Sequence, residues 1–259
     1  MFRFGKNPGH FGCCFSRETS ESLARRTGQM FFYLLRHGQT DWNIQKKVQG
    51  RTDIPLNGAG IRQAEKMAEA MDGIPLCGIW ASTLVRAAET AEILQKRREK
   101  RGEEIRLVLL PELKEVAFGD WEGKTLKEVE KLFPEDYHRW TENPAFQTPT
   151  GGEKREELTK RAADAVEKMV KSLKDSGKAG KKDAAAIVAH GGILVYVIAY
   201  LLRKETERRE IIVENASITK VEYDPETGTG RLVFMNDISH LSQDERTPWK
   251  ADLRKKEGE

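Results

Sequence analysis

Two histidines in this chain occupy the same local setting. His37 follows the apolar run Phe31-Phe32-Tyr33-Leu34-Leu35 and Arg36, and His190 follows Ala184 to Ala189; each is followed at once by glycine. Apolar runs of that length read as buried strands. In open parallel sheets, ligands bind outside the carboxyl ends of the strands, so two strand–His–Gly units can face one crevice. The glycines let the chain turn and bring backbone N–H groups close to an anion. Taken singly, either histidine is an ordinary hydrogen-bonded core or loop residue; the repetition argues for chemistry. A neutral imidazole, with an ordinary pKa of about 6.5, is a nucleophile near neutral pH.

Arginines stand where such a crevice needs cations. Arg36 precedes the first histidine, and Arg86 falls in the first turn of the helix expected after Gly78-Ile79-Trp80-Ala81. An arginine there opposes the helix dipole, a cost that a bound phosphate offsets by pairing with the guanidinium and the helix N–H groups. The plainer reading is a surface arginine paired with a carboxylate such as Glu89. Its position one turn past a strand end favours the phosphate.

The elements that must position these residues alternate. After the first strand, Asn57 is a good cap for a helix over about Gly60 to Met71, and Ser82 or Thr83 for one through Arg86, Ala87, Thr90, Ala91 and Leu94. Leu107 to Leu110 is a third strand. Thr125 and Glu128 form a capping box for a helix that stops before Pro134. Pro144 to Gly152 reads as a loop, and Leu158, Ala162, Ala165, Met169 and Leu173 mark one face of a long helix. Lys174 to Asp183 reads as a surface linker. An apolar helix follows His190, and a hairpin spans Ser217 to Tyr223 and Arg231 to Met235. The expected fold is one three-layer α/β domain over 30–241, its mostly parallel sheet covered by helices on both faces. The basic, Ser-containing stretch 1–29 reads as a disordered extension and 242–259 as a charged, loose tail.

Bulk properties narrow the partners. The 259 residues carry 44 basic and 41 acidic side chains, a net charge of +3, too balanced for a nucleic-acid binder. The apolar run Gly191 to Leu202 is too short to span a bilayer. Three cysteines make no disulfide framework, which fits a reducing cytoplasm. Segment 1–29 lacks the apolar core of a secretory signal; mitochondrial targeting is the lesser alternative, since Glu18 and Glu21 count against it. No metal-ligand cluster is evident, and neither a metal nor a cofactor is expected.

The motifs in order resemble the histidine phosphatase superfamily, also called phosphoglycerate-mutase-like. The resemblance runs through Leu35-Arg36-His37-Gly38-Gln39-Thr40-Asp41-Trp42-Asn43, Arg51 to Gly60, Ser82 to Ala91, Leu113 to Gly123, Gly151-Gly152-Glu153, Val188 to Gly192, Asn215 to Thr219 and Asn236 to Leu241. It covers nearly all of 30–241. It implies His37 as nucleophile, with Arg36, Arg86 and His190 around the phosphoryl oxygens. It also implies Glu115 as proton donor and later acceptor, and Asn43, Thr52 and Gly191 on the substrate side. A lone loop glutamate is otherwise just solvated, so Glu115 rests on the resemblance.

Mutases of that family show a Glu-Arg-His-Tyr-Gly type sequence and an Arg-Arg pair. This chain has Glu115-Val116-Ala117-Phe118-Gly119 and no such pair in 124–150, which favours phosphoester hydrolysis on a small phosphorylated metabolite over phosphoglycerate mutation. A catalytically silent phosphate-binding module would lack one of Arg36, His37, Arg86, Glu115 or His190, and all are present. Lys154 stands where many relatives have serine and is expected to face solvent. Trp42, Phe118, Trp121, Trp140 and Phe146 are candidates for the pocket entrance; the oligomeric state is not legible.

Overall fold

The computed structural model describes residues 29–142, 148–177, 184–203 and 211–248. All but the last residue of the expected N-terminal extension lies outside them, as do Phe146, most of the linker before Ala184, and 249–259 of the tail.

A six-stranded sheet forms the centre, with strands β1 (Met30–Arg36), β2 (Leu76–Ser82), β3 (Leu107–Leu110), β4 (Ala184–Ala189), β5 (Ile218–Asp224) and β6 (Thr229–Asp237) in the order β3-β2-β4-β1-β5-β6. β1, β2, β3 and β4 are mutually parallel, and the hairpin β5–β6 joins antiparallel to β1. The expected mostly parallel α/β fold is therefore present, with the predicted hairpin at one edge.

Alternation along the strands builds two cores. Phe32 and Leu34 of β1 and Ala185 and Ile187 of β4 face the long helices α6 (Arg155–Asp175) and α7 (Gly191–Leu202). Tyr33, Leu35, Ala186 and Val188 face α2 (Gly58–Ala70) and α3 (Val85–Lys100) on the other side. Every residue of β4 is buried, and its four alanines let helices on both faces approach closely. α7 is apolar around its circumference because it is enclosed on all sides.

One local expectation needs correction. Neither Ser82 nor Thr83 caps α3; Ser82 still belongs to β2, and the N-cap is Leu84, which supplies no side-chain bond. The cap comes from across the chain, where Asp53 Oδ1 accepts from Val85 N at 2.7 Å. The helix capped by Thr125, α4 (Leu126–Leu132), stops before Pro134 as expected, and a second helix follows. This helix, α5 (Pro134–Glu142), starts on the proline, since proline at a first helical position removes an N–H that has no partner there anyway. A single turn, α1 (Asp41–Ile44), completes the set of seven helices among the described residues.

The start of the tail is docked, not loose. Gln63 Nε2 donates to Glu245 O at 2.6 Å, Lys66 pairs with Glu245 at 2.8 Å, and Gln39 Nε2 donates to Thr247 Oγ1 at 3.0 Å.

Candidate active site

β1 and β4 are adjacent and parallel, so Arg36 and Ala189 lie in register and both histidines leave the sheet at the same edge. His37 N donates to Ala189 O at 3.0 Å, and Ala216 N donates to His37 O at 3.2 Å, which fixes the backbone of His37 between β4 and the chain before β5. The rings of His37 and His190 lie 5.0 Å apart at 56°. Gly38 is required: a Cβ there would stand 2.3 Å from Gly60 O.

Both rings are almost wholly buried, and both have pKa values well below the ordinary histidine value. Desolvation is the main cause for each, followed by the positive charge of Arg86; Arg36 adds to both. Both imidazoles are thus neutral at pH 7, with one N–H each. In His37 that N–H is on Nδ1, 2.6 Å from Gly38 O, which leaves the Nε2 lone pair. His190 is tied by the other nitrogen, Nε2, at 2.8 Å from Ser82 Oγ. Its Nδ1 is buried without a hydrogen-bond partner.

Arg86 is buried in the first turn of α3 and reaches across to the loop before α2, donating to Thr52 O at 2.9 Å and Gly50 O at 2.8 Å. Glu89 is not its partner; that carboxylate accepts from Leu56 N. Arg36 donates to Val213 O at 2.7 Å, and Gly191, at the start of α7, lies beside its guanidinium. Asn43 Oδ1 accepts from Thr40 N at 2.9 Å, Thr40 Oγ1 at 3.0 Å and Asn215 Nδ2 at 3.3 Å, so its amide offers donors to a ligand.

Glu115 is held at the N-terminus of α7, whose N-cap residue His190 supplies no side-chain cap. Its carboxylate accepts from Gly192 N and Ile193 N, both at 3.0 Å, and from Val116 N at 2.8 Å. Gly192 admits it, since a Cβ there would stand 2.5 Å from Glu115 Oε1. The loop glutamate and the second histidine therefore meet at one helix end.

Thr52 differs from expectation. Its N–H and hydroxyl both donate to Glu122 Oε2, at 3.0 and 2.8 Å, so its donors are spent and its carbonyl serves Arg86. Glu122 accepts in addition from Arg51 N and Phe118 N, both at 3.0 Å, and ties two loops together. Trp121 is fully buried against Tyr137 and Trp140 and does not line an entrance, while Lys154 is exposed as expected. The motif blocks hold Ser82, Asp53, Glu122 and Asn215, but the sequence reading took Ser82 for a helix cap and gave Asp53 and Asn215 no role. Among the described residues, no three His, Cys, Asp or Glu side chains group as metal ligands, and no helix is long and apolar enough to cross a membrane.

Comparison with known proteins gives the constellation its context. Residues 32–238 match the model of the histidine phosphatase superfamily (branch 1). The chain is 32% identical over 209 residues to the uncharacterized phosphatase PhoE of Bacillus subtilis, covering 81% of this chain and 95% of that one. It is 34% identical over 169 residues to a glucosyl-3-phosphoglycerate phosphatase of Mycolicibacterium vanbaalenii, covering 65% and 72%. Among solved structures, a mycobacterial glucosyl-3-phosphoglycerate phosphatase in complex with inorganic phosphate superposes with a TM-score of 0.69 at 30% identity, covering 82% of this chain and 99% of that one.

Proposed function

This chain belongs to the histidine phosphatase superfamily, and on that premise we propose that His37 is the phosphoryl acceptor of a phosphatase acting on small phosphorylated metabolites. The observation that carries the assignment is the pair of opposite tethers: His37 is tied through Nδ1 and keeps the Nε2 lone pair, while His190 is tied through Nε2. Ser82 Oγ accepts from Leu84 N at 3.2 Å, and in this reading it gives its own proton to His190 Nε2. The proton of the neutral His190 ring then sits on Nδ1, a buried donor for an anion.

In this mechanism His37 Nε2 attacks phosphorus as the ester P–O bond breaks. Glu115 gives its proton to the leaving oxygen. Arg36, Arg86, His190 and the amide of Asn43 hold the three phosphoryl oxygens, where charge spreads in the transition state. Water then attacks the phosphohistidine while Glu115 takes a proton from it, and inorganic phosphate leaves. The cations that a metal supplies in other phosphoryl transfers are here arginines held on strand and helix ends.

The protein is a phosphoric monoester hydrolase of this family. The glucosyl-3-phosphoglycerate and α-ribazole phosphatases among its relatives support a small phosphorylated substrate, and the Cys77 thiol, which donates to Ala184 O at 3.0 Å, fits a reducing cytoplasm. The test is direct. Protein given a phosphomonoester in EDTA and quenched in alkali is expected to carry an alkali-stable, acid-labile phosphoryl group on His37, located by peptide mass spectrometry. Turnover with the label on another residue, or strict metal dependence, overturns the assignment.

A further inference from the structure

Arg161, on the inner face of α6, takes no part in the chemistry just described, yet its guanidinium is aimed at the loop that carries Glu115. One terminal nitrogen donates to Glu112 O and Lys114 O, both at 2.6 Å, and the other reaches Glu115 O at 3.4 Å. The remaining edge forms a fork with Glu153: Nε to Oε1 and Nη2 to Oε2, each 2.8 Å. Both side chains are largely shielded, at 13% and 8% exposure. Glu153 in turn accepts from Ala117 N at 3.3 Å and pairs with Arg51 at 3.0 Å, while its own N–H donates to Ala117 O at 2.9 Å. The backbone on both sides of Glu115 is therefore held by one ion pair from α6.

We propose that Arg161, locked by Glu153, is a positioning residue that sets the placement of the Glu115 carboxyl for proton transfer. This role rests on the acid role proposed for Glu115 and deepens it. Proton transfer needs heavy atoms within about 2.6–3.2 Å, and a misplacement of about 1 Å costs on the order of 10²-fold. Only a planar, five-donor group reaches three carbonyls and a carboxylate at once. Lysine keeps the charge and loses that fork. Arg161→Lys therefore separates loss of geometry from loss of charge.

The experiment compares an alkyl phosphate, whose alkoxide needs a proton to leave, with para-nitrophenyl phosphate, whose phenolate does not, in single turnovers to the phosphohistidine. Wild type, Arg161→Lys, Glu153→Gln, Glu115→Gln and Arg161→Lys/Glu115→Gln are measured in parallel. For Arg161→Lys the expected loss is about 10- to 100-fold on the alkyl ester and under about threefold on the aryl ester. Glu153→Gln is expected to lose in the same direction. The ratio of the two losses is independent of how much of a variant is folded. The double variant is expected to match Glu115→Gln alone, because a residue acting through another adds nothing once that other is gone. Equal losses on both esters in Arg161→Lys, beside a contrast in Glu115→Gln, overturn the clamp and leave the acid assignment standing. Equal losses in Glu115→Gln overturn both.

Discussion

The ends of β1 and β4 carry the same three-part signature of apolar strand, histidine and glycine, and they lie side by side, yet the proposed mechanism gives them different work. At the β1 end the imidazole is tied to its own loop through Nδ1; at the β4 end it is tied to β2 through Nε2, by a serine 108 residues away. The first tie leaves a lone pair; the second, with Ser82 donating as proposed, leaves a proton. Burial beside two arginines keeps both rings neutral, so the distinction survives at neutral pH. In the proposed mechanism, which nitrogen the scaffold occupies, and not the residue type, separates nucleophile from donor.

The largest expected effect tests that asymmetry directly. His37→Ala deletes the atom that bonds to phosphorus, and its loss is expected on the order of 10⁵-fold or more, the scale of nucleophile deletion. His190→Ala removes one oxyanion donor and is expected to cost about 10²- to 10³-fold while still forming phosphohistidine. Rapid-quench measurement of the phosphoenzyme in both variants distinguishes them. Phosphoenzyme in His37→Ala, or equal abolition in both, erases the proposed difference in role.

A smaller effect is expected where the β4 end is tied. Ser82→Ala frees His190 Nε2, so the ring can place its proton on either nitrogen. Turnover is expected to fall about tenfold, mainly in kcat, because the donor is then correctly placed in only part of the population. Long-range ¹H–¹⁵N spectra report the tautomer without reference to activity: Nδ1–H in wild type, a mixture in Ser82→Ala, and recovery in Ser82→Thr. A wild-type His190 protonated on Nε2 would end the argument.

These ties explain what the sequence did and did not disclose. The histidines were legible because strand, ligand and glycine are contiguous, and β4 identifies itself by composition. Asn57 as a cap was legible for the same reason, its acceptor lying three residues on, at Gly60 N. Glu115 was legible only through the motif that surrounds it; the bonds that make it special come from Gly192 and Ile193, 77 and 78 residues away. Ser82, Asp53, Glu122 and Arg161 act on partners set by topology, so no local spacing marks them. Ser82 was even assigned to a neighbouring helix, since a serine at a strand end looks the same whether it caps or holds a ring. Thr52 was placed on the substrate side because it sits in the right loop, and only the carboxylate of Glu122 shows that its donors are taken.

The smallest expected effect concerns titration, where the two ends differ in one respect. Both rings are pushed down by burial and then by Arg86, but His37 alone has a backbone acceptor, Gly38 O, that favours its charged form. Both rings should therefore take up a proton only below the ordinary value of about 6.5. The unfolded chain takes up these protons near pH 6.5 while the folded chain does not, so it is stabilised first as pH falls. The contribution of each ring to stability is thus fully present above about pH 6.5 and drains away toward its folded pKa, at up to about 1.4 kcal/mol per pH unit. Histidine Cε1–H shifts followed from pH 8 downward should show neither ring titrating near 6.5. The fall in melting temperature between pH 7.5 and 5.5 should be smaller in His190→Gln than in wild type, by a few degrees at most. Added phosphate should oppose that fall, because an anion between the rings favours their charged forms and binds only the folded state. A His37 or His190 signal titrating at about 6.5 in the folded protein would mean that the site is wetter than its burial implies, and that a fixed neutral tautomer is not what distinguishes the two ends.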